Sequence, residues 1–211
     1  MTDWLANISL GYVIAAIIVL FVARLIFGRF EGTAAKSAAE ISESALIAIV
    51  LVFLIIRPFI MQAFYIPSGS MRPTLLERDH ILVNKFVYRL HEPRRGDVIV
   101  FKSPPGASLD GQERDFIKRL IGVPGDVIEV KDEAVYRNHH RLNEPYILQT
   151  PDYDMPPLKV PPGELFVMGD NRRNSNDSHA WGPLDRKRVI GEAMFRFWPL
   201  NRFGLIEAHR G

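Results

Sequence analysis

The sequence predicts a mainly β protein: an antiparallel-sheet domain with a small β subdomain, preceded by two transmembrane α-helices. Three observations lead there. Apolar residues crowd into two runs within the first 66 positions, short apolar or alternating runs separated by turn residues fill the remainder, and no helical period of useful length recurs after residue 66. The 211 residues carry 26 Lys plus Arg against 24 Asp plus Glu, so a net charge of +2 provides no basic field for nucleic acid. Cysteine is absent, which removes disulfides, thiolate metal sites and cysteine nucleophiles.

The first run, Ile8 to Ala23, has no charged residue and continues past Arg24 to Phe27. That is about 20 residues, or ~30 Å of helix, enough to span a bilayer. A cleavable leader has a basic start and a shorter apolar run, whereas the only charge here is Asp3, so residues 8–27 read as a permanent anchor. The second run, Ala45 to Ile56, stops before Arg57. Snorkelling of that arginine extends a span over residues 44–64, although a run of about 12 residues also fits a buried core helix. Arg29 and Lys36 lie in the connector, 28–43, with Arg24 at its edge, and the tail before the first span has neither Lys nor Arg, so the connector is expected to be cytoplasmic. Residues 1–66 are then a membrane anchor, and 67–211 form a domain on the extracytoplasmic side.

Within that domain the expected strands are Ile81 to Val83, Asp97 to Lys102, Asp115 to Ile121, Val127 to Val130, Ala134 to Arg137, Glu164 to Met168 and Val189 to Trp198. Between them stand turns such as Pro93-Arg94-Arg95-Gly96-Asp97 and Val123-Pro124-Gly125-Asp126, where proline presets one torsion and glycine permits the other. Residues 127–162 fit a small subdomain.

Three segments carry chemistry. Ile66-Pro67-Ser68-Gly69-Ser70-Met71-Arg72-Pro73 holds two serines on a backbone restricted by flanking prolines, close to the second apolar run. A serine needs a base, usually histidine, yet His80, His91, His139, His140 and His209 lie in turn-like or terminal settings, and close sequence neighbours such as Asp177 and His179 rarely form two members of a triad. A neutral lysine can replace histidine. Lys118 lies inside the apolar strand Phe116 to Ile121, where burial and the like charge of Arg119 can lower its pKa from ~10.4 to about 8 at a cost of ~3 kcal/mol; a head group snorkelling from a strand edge is the other reading. The third segment, Gly169 to Gly182, is a polar loop containing Asp170, Ser175, Asp177 and His179, able to position a neutral lysine through a hydroxyl. Calcium binding competes as a reading of its Asp-x-Asn spacing, but the glutamate that closes an EF-hand loop is missing.

Taken together these segments resemble the signature boxes of type I signal peptidases, the bacterial leader peptidases with a Ser-Lys dyad, and the match runs from the anchors to Trp198. Ser-Gly-Ser-Met-x-Pro-Thr-Leu implies that Ser70 is the nucleophile and that the Ser68 hydroxyl joins the Ser70 backbone N–H in the oxyanion hole. The Lys-Arg-x-x-Gly-x-Pro-Gly-Asp box puts the general base at Lys118, and the Gly-Asp-Asn-Arg-x-Asn-Ser-x-Asp-Ser box puts the lysine-orienting serine at Ser175, supported by Asp170, Asp177 and Arg119. Ile81-Leu82-Val83-x-Lys85, Arg95-Gly96-Asp97 and Leu142-Asn143-Glu144-Pro145-Tyr146 add to the likeness. The resemblance implies cleavage of secretory preproteins after small residues, of the Ala-x-Ala type, at the bacterial cytoplasmic membrane, with no metal or cofactor. Phe64, Ile66, Pro67 and Ile117 are implied as walls of the substrate pockets, and membrane lipid and the secretion translocon as partners. The sequence departs from the family at Arg78, where glycine is usual, at His179, where arginine is usual, and in the shortness of 127–162.

Overall fold

The structure is a computed structural model that describes residues 10–30, 32–51, 61–108 and 111–209. It divides after Gln62 into two compact units.

The first unit contains helices α1 (Leu10–Phe27) and α2 (Thr33–Val50). Beyond α1, Gly28 N–H caps the Arg24 carbonyl at 2.9 Å, and a side chain at Gly28 would meet that same oxygen. Arg24 pairs with Glu43 across the two helices at 3.0 Å, and the buried Ser42 hydroxyl donates to the Ala38 carbonyl one turn earlier. Part of the anchor expectation changes here. The connector 28–43 is helical from Thr33, because alanines, Lys36, Glu40 and Glu43 are good helix formers. The second helix ends at Val50, residues 52–60 and the start of the first apolar run lie outside the described residues, and 61–65, expected at the end of a span, form a strand. Among the described residues no helix is long and apolar enough to cross a membrane.

The second unit is built on antiparallel sheets. All seven expected strands are present, as β2 (His80–Asn84), β3 (Val98–Lys102), β4 (Asp115–Gly122), β5 (Val127–Lys131), β6 (Ala134–Arg137), β9 (Glu164–Met168) and β11 (Val189–Trp198). Five further strands were hidden from sequence pattern: β1 (Met61–Tyr65), β7 (His140–Arg141), β8 (Met155–Lys159), β10 (Leu184–Asp185) and β12 (Gly204–Leu205). Three of these are only two residues long. β8 contains Pro156 and Pro157, tolerated because it lies at a sheet edge, where missing N–H groups break no ladder.

The large sheet has the order β1-β2-β11-β3-β4-β9-β10, with β12 against β11, so β4 is interior. The small sheet has the order β7-β6-β5-β8, spanning 127–159. Its hairpins turn at Asp132-Glu133 and Asn138-His139, all with positive φ as a two-residue type I′ loop requires. Ile121, Phe166 and Met168 of the large sheet share a core with Ile128, Val130 and Val135 of the small one. Two four-residue helices, α3 (Val87–Leu90) and α4 (Ser178–Trp181), complete the unit.

The loop that follows β1 is closed at its base. Ile66 N–H donates to the Asp79 carbonyl and Arg78 N–H to the Ile66 carbonyl, both at 2.9 Å. Inside, Leu75 N–H reaches the Met71 carbonyl, Asp79 accepts Leu76 N–H, and Arg72 makes a bidentate pair with Glu77. Met71 and Leu75 are fully buried beneath it. Arg78, the position where glycine is usual, has φ +72° and is exposed. A left-handed conformation costs a non-glycine residue ~1–2 kcal/mol, part of which glycine loses again to chain entropy. Arg78→Gly is therefore expected to stabilise the domain by up to ~1 kcal/mol and to raise its melting temperature by ~2–4 °C; a variant that melts at or below the parent would show that the arginine side chain compensates the strain.

Candidate active site

The clasped loop presents Ser70 on a short 3-10 turn, Gly69–Met71, and the interior strand β4 presents Lys118, paired in register with Ile99 of β3. The two meet: Lys118 Nζ donates to Ser70 Oγ at 2.8 Å. Lys118 is 5% exposed and Ser70 8%, so the contact is almost sealed from bulk water. Burial pushes the Lys118 pKa down to about 8, against the upward pull of Asp177 and Asp170. A lysine so lowered loses its proton more readily than an exposed one, and the neutral amine can accept the proton of a hydroxyl already within hydrogen-bond reach.

Two buried ion pairs surround this contact. Arg119, next to Lys118 on β4, meets Asp170 bidentately at 2.9 and 2.8 Å with both side chains fully buried. Its remaining N–H groups reach the Gly96 and Glu207 carbonyls and the Thr74 hydroxyl, and its guanidinium lies 4.1 Å from the Tyr146 ring centroid. Thr74 in turn donates to Asp170 at 2.5 Å, tying the serine loop to the end of β9. Arg172 meets Glu144 bidentately at 2.8 and 2.7 Å and donates to the Gly169 carbonyl.

Asp177 is the N-cap of α4. Burial pulls its pKa upward, but bonds from His179 and from Gly169 N–H, together with the nearness of the Ser175 hydroxyl, hold it below the ordinary carboxylate value. His179 pairs with Asp177, Nδ1 to Oδ1 at 2.8 Å, and its imidazole stacks on Tyr153 with centroids 4.2 Å apart. Ser175 Oγ is buried and has no well-aligned hydrogen-bond partner among the described residues; its influence on Asp177 is one of proximity.

Ser68 is exposed beside Ser70, and so is Pro67, whereas Ile66 and Ile117 belong to a buried core and Phe64 packs half-buried against it. Among the described residues no group of three or more His, Asp and Glu could hold a metal ion. Asp170 and Asp177, which suggested a calcium loop, are both buried against protein donors.

Two residues that sequence reasoning gave no role stand behind the serine. Asn171 N–H donates to the Ser70 carbonyl and its Nδ2 to the Gly69 carbonyl, both at 3.0 Å. At Gly169 a β-carbon would lie 2.3 Å from Ser175 Oγ and 2.4 Å from the Ser70 carbonyl oxygen, so only glycine allows the two segments this approach. The glycine and asparagine of the polar loop were visible in the sequence, but their partners 100 residues away were not.

The chain is similar to known proteins over most of its length. The family described as signal peptidase, peptidase S26, matches residues 38–198. Probable signal peptidase I-1 of Synechocystis is 47% identical over 163 residues, covering 76% of this chain and 83% of that protein. Signal peptidase I of Leptolyngbya laminosa is 48% identical over 153 residues, covering 71% and 74%. Signal peptidase I S of Bacillus subtilis is 38% identical over 178 residues, covering 79% and 92%.

The lysine's burial has a stability signature. The folded lysine loses its proton at about 8 and the unfolded one only at its ordinary, higher pKa, so the folded state binds fewer protons between these values and gains stability as pH rises through them. Below about 8 the penalty is at full strength, up to ~3 kcal/mol. Lys118→Met is expected to exceed the parent in stability by up to that amount at pH 6.5, with the difference shrinking towards pH 10. Denaturant unfolding at pH 6.5 and 9.5 checks this, and a difference unaffected by pH would mean that the amine carries no burial penalty.

Proposed function

The chain belongs to the signal peptidase family, peptidase S26, and is a serine peptidase; from that premise we propose that Ser70 is its nucleophile and Lys118 its general base, removing signal peptides from secreted preproteins by cleavage after small residues. The observation that carries the reading is the 2.8 Å contact between a buried, pKa-lowered amine and a hydroxyl. Neutral Lys118 takes the Ser70 proton as Oγ attacks the scissile carbonyl, and the oxyanion is met by Ser70 N–H and the Ser68 hydroxyl. The protonated lysine then gives its proton to the leaving amine, and the same amine activates the water that releases the acyl chain. The orienting of the lysine falls to Ser175 in this proposal, its buried hydroxyl being committed to no well-aligned partner among the described residues, with Asp177, Asp170 and Arg119 in support. Phe64, Ile66, Pro67 and Ile117 shape the pockets for small side chains, and the extended exposed backbone at Ser68 suits a substrate lying alongside it.

Membrane attachment belongs to the same proposal. Helix α1 leaves Ile14, Ile18, Val19, Phe21, Val22, Leu25 and Ile26 exposed, a distribution that lipid would satisfy. With the segment before β1 as a multi-pass anchor and the connector cytoplasmic, the β domain works on the extracytoplasmic face of the bacterial cytoplasmic membrane, where lipid and the secretion translocon are neighbours.

Ser70→Ala and Lys118→Met are each expected to abolish preprotein cleavage in folded protein, since the two act as a unit, while Ser68→Ala loses one oxyanion donor and falls by ~10²- to 10³-fold. The parent's activity rises with pH as Lys118 loses its proton around 8. Cleavage retained in folded Lys118→Met, or a Ser68 variant as inactive as the Ser70 one, would overturn these roles. For specificity, replacing alanine by leucine immediately before the scissile bond of a test preprotein should block processing; undiminished cleavage of that substrate would disprove the small pocket.

A further inference from the structure

The loop that carries Ser70 is also held by two arginines with no part in the proposed chemistry. The Thr74 carbonyl accepts from Arg196 Nη1 at 2.9 Å and from Arg202 Nη2 at 3.3 Å. Arg202 Nη1 donates to Asp79 Oδ1 at 3.3 Å and lies 3.2 Å from Oδ2, so one guanidinium bridges the middle of the loop and its base. Arg196 comes from β11 and Arg202 from the 3-10 turn Leu200–Arg202 that follows it, and Arg196 Nε donates to the Arg202 carbonyl.

This arrangement is costly in charge. Burial first and the neighbouring charge of Arg202 second push the Arg196 pKa down, with Asp79 pulling it back. A loop that needed only to be covered could be covered by apolar side chains without setting two cations side by side. What the pair adds is direction, because guanidinium N–H groups fix the place of an acceptor as apolar contact does not.

The place so fixed is that of Thr74. Its carbonyl meets the arginines, and its hydroxyl donates to Asp170, which pairs with Arg119 beside Lys118. One residue further on, Leu75 N–H reaches the carbonyl of Met71, the residue after Ser70. Through Thr74, a guanidinium outside the site is joined to both segments that bring serine and lysine together.

We infer that Arg202 is a positioning residue for the peptidase reaction: by holding Thr74 and Asp79 it keeps Ser70 Oγ in line with Lys118 Nζ. The inference rests on the reading of Ser70 and Lys118 as the reacting pair. A displacement of about 1 Å at reacting atoms can cost ~10²-fold in rate, so a looser Thr74 shows in kcat rather than in substrate binding.

The test uses the full chain in a non-ionic detergent, with rates on a preprotein carrying an Ala-x-Ala site expressed per folded molecule. Arg202→Met is expected to lower kcat about tenfold or more while KM stays within about twofold of the parent's. Arg202→Lys keeps a charge beside Asp79 but cannot fork to the Thr74 carbonyl as well, so it restores part of the rate. It also carries the test alone if Arg202→Met does not fold, with a loss in kcat of about three- to fivefold. A brace that merely stabilises would lower the melting temperature and leave kcat per folded molecule unchanged; that result, or a loss confined to KM, would overturn the inference. Ser70→Ala is measured beside these variants. Where the parent cleaves and Ser70→Ala does not, an unchanged kcat in the Arg202 variants counts against the positioning role alone, whereas cleavage by Ser70→Ala refutes the reacting pair itself.

Discussion

A lysine amine buried against a serine hydroxyl is the constraint on which the rest of the β domain's polar interior depends. Burial lowers the Lys118 pKa only while negative charge nearby is held in check, and Asp170 and Asp177 both act to raise it. Each is tied to its own donors: Asp170 to Arg119 and Thr74, Asp177 to His179 and Gly169 N–H. An unpaired carboxylate at either position would favour the ammonium form and undo the effect of desolvation. Buried ion pairs are weak contributors to net stability, because desolvating two charges costs several kcal/mol that their attraction barely recovers. Their consequence here is electrostatic: they place donors and backbone close to the lysine without leaving a field that reprotonates it.

Position matters as much as charge. A hydroxyl 2.8 Å from an amine stays there only if the backbones of two distant segments are fixed. The interior strand β4 fixes the lysine by ladder bonds on both sides. The serine's loop is clasped at Ile66, Arg78 and Asp79, braced internally by Arg72 and Glu77, and held from behind by Asn171. Gly169 lets the polar loop approach without a side chain in the way. The strained φ of Arg78 lies at the clasp itself, so the conformation that closes the loop is one that most side chains resist.

What could be read from sequence followed the range of the interactions. Strands with clear alternation or long apolar runs, such as Asp115 to Ile121, were visible because their signal is local, whereas β7, β10 and β12, each two residues long, are too short to show a period and are defined only by the strand each pairs with. The helix α2 was misjudged because a hydropathy reading started it at its apolar half, although Ala, Lys and Glu from Thr33 onward already favoured helix. At the site, Ser70 and Lys118 could be paired by chemical need. Asn171 and Gly169 could not, since their importance lies in the Ser70 and Gly69 carbonyls they approach. The contact of His179 with Asp177 is local in sequence; its stack on Tyr153, 26 residues earlier, is not and left no signal.

The chain's last residues take part in the same electrostatic arrangement. A buried guanidinium has five N–H groups, and leaving one unsatisfied costs ~1–3 kcal/mol or more for a charged donor. Asp170 takes two of Arg119's bonds, and Gly96, Thr74 and Glu207 supply the other acceptors. The span matched by the family ends at residue 198, so one acceptor for the arginine beside the lysine comes from beyond it. The tail stays in place because β12 pairs with β11, Ile206 N–H donates to the Met194 carbonyl and His209 stacks on Tyr146. Tyr146 also lies against the Arg119 guanidinium, so one aromatic ring contacts both the tail and the cation. Satisfying Arg119 in full keeps it neutralising Asp170, and that pairing limits the pull on Lys118. A segment that a motif search passes over thereby helps set the protonation of the amine at the centre of the site.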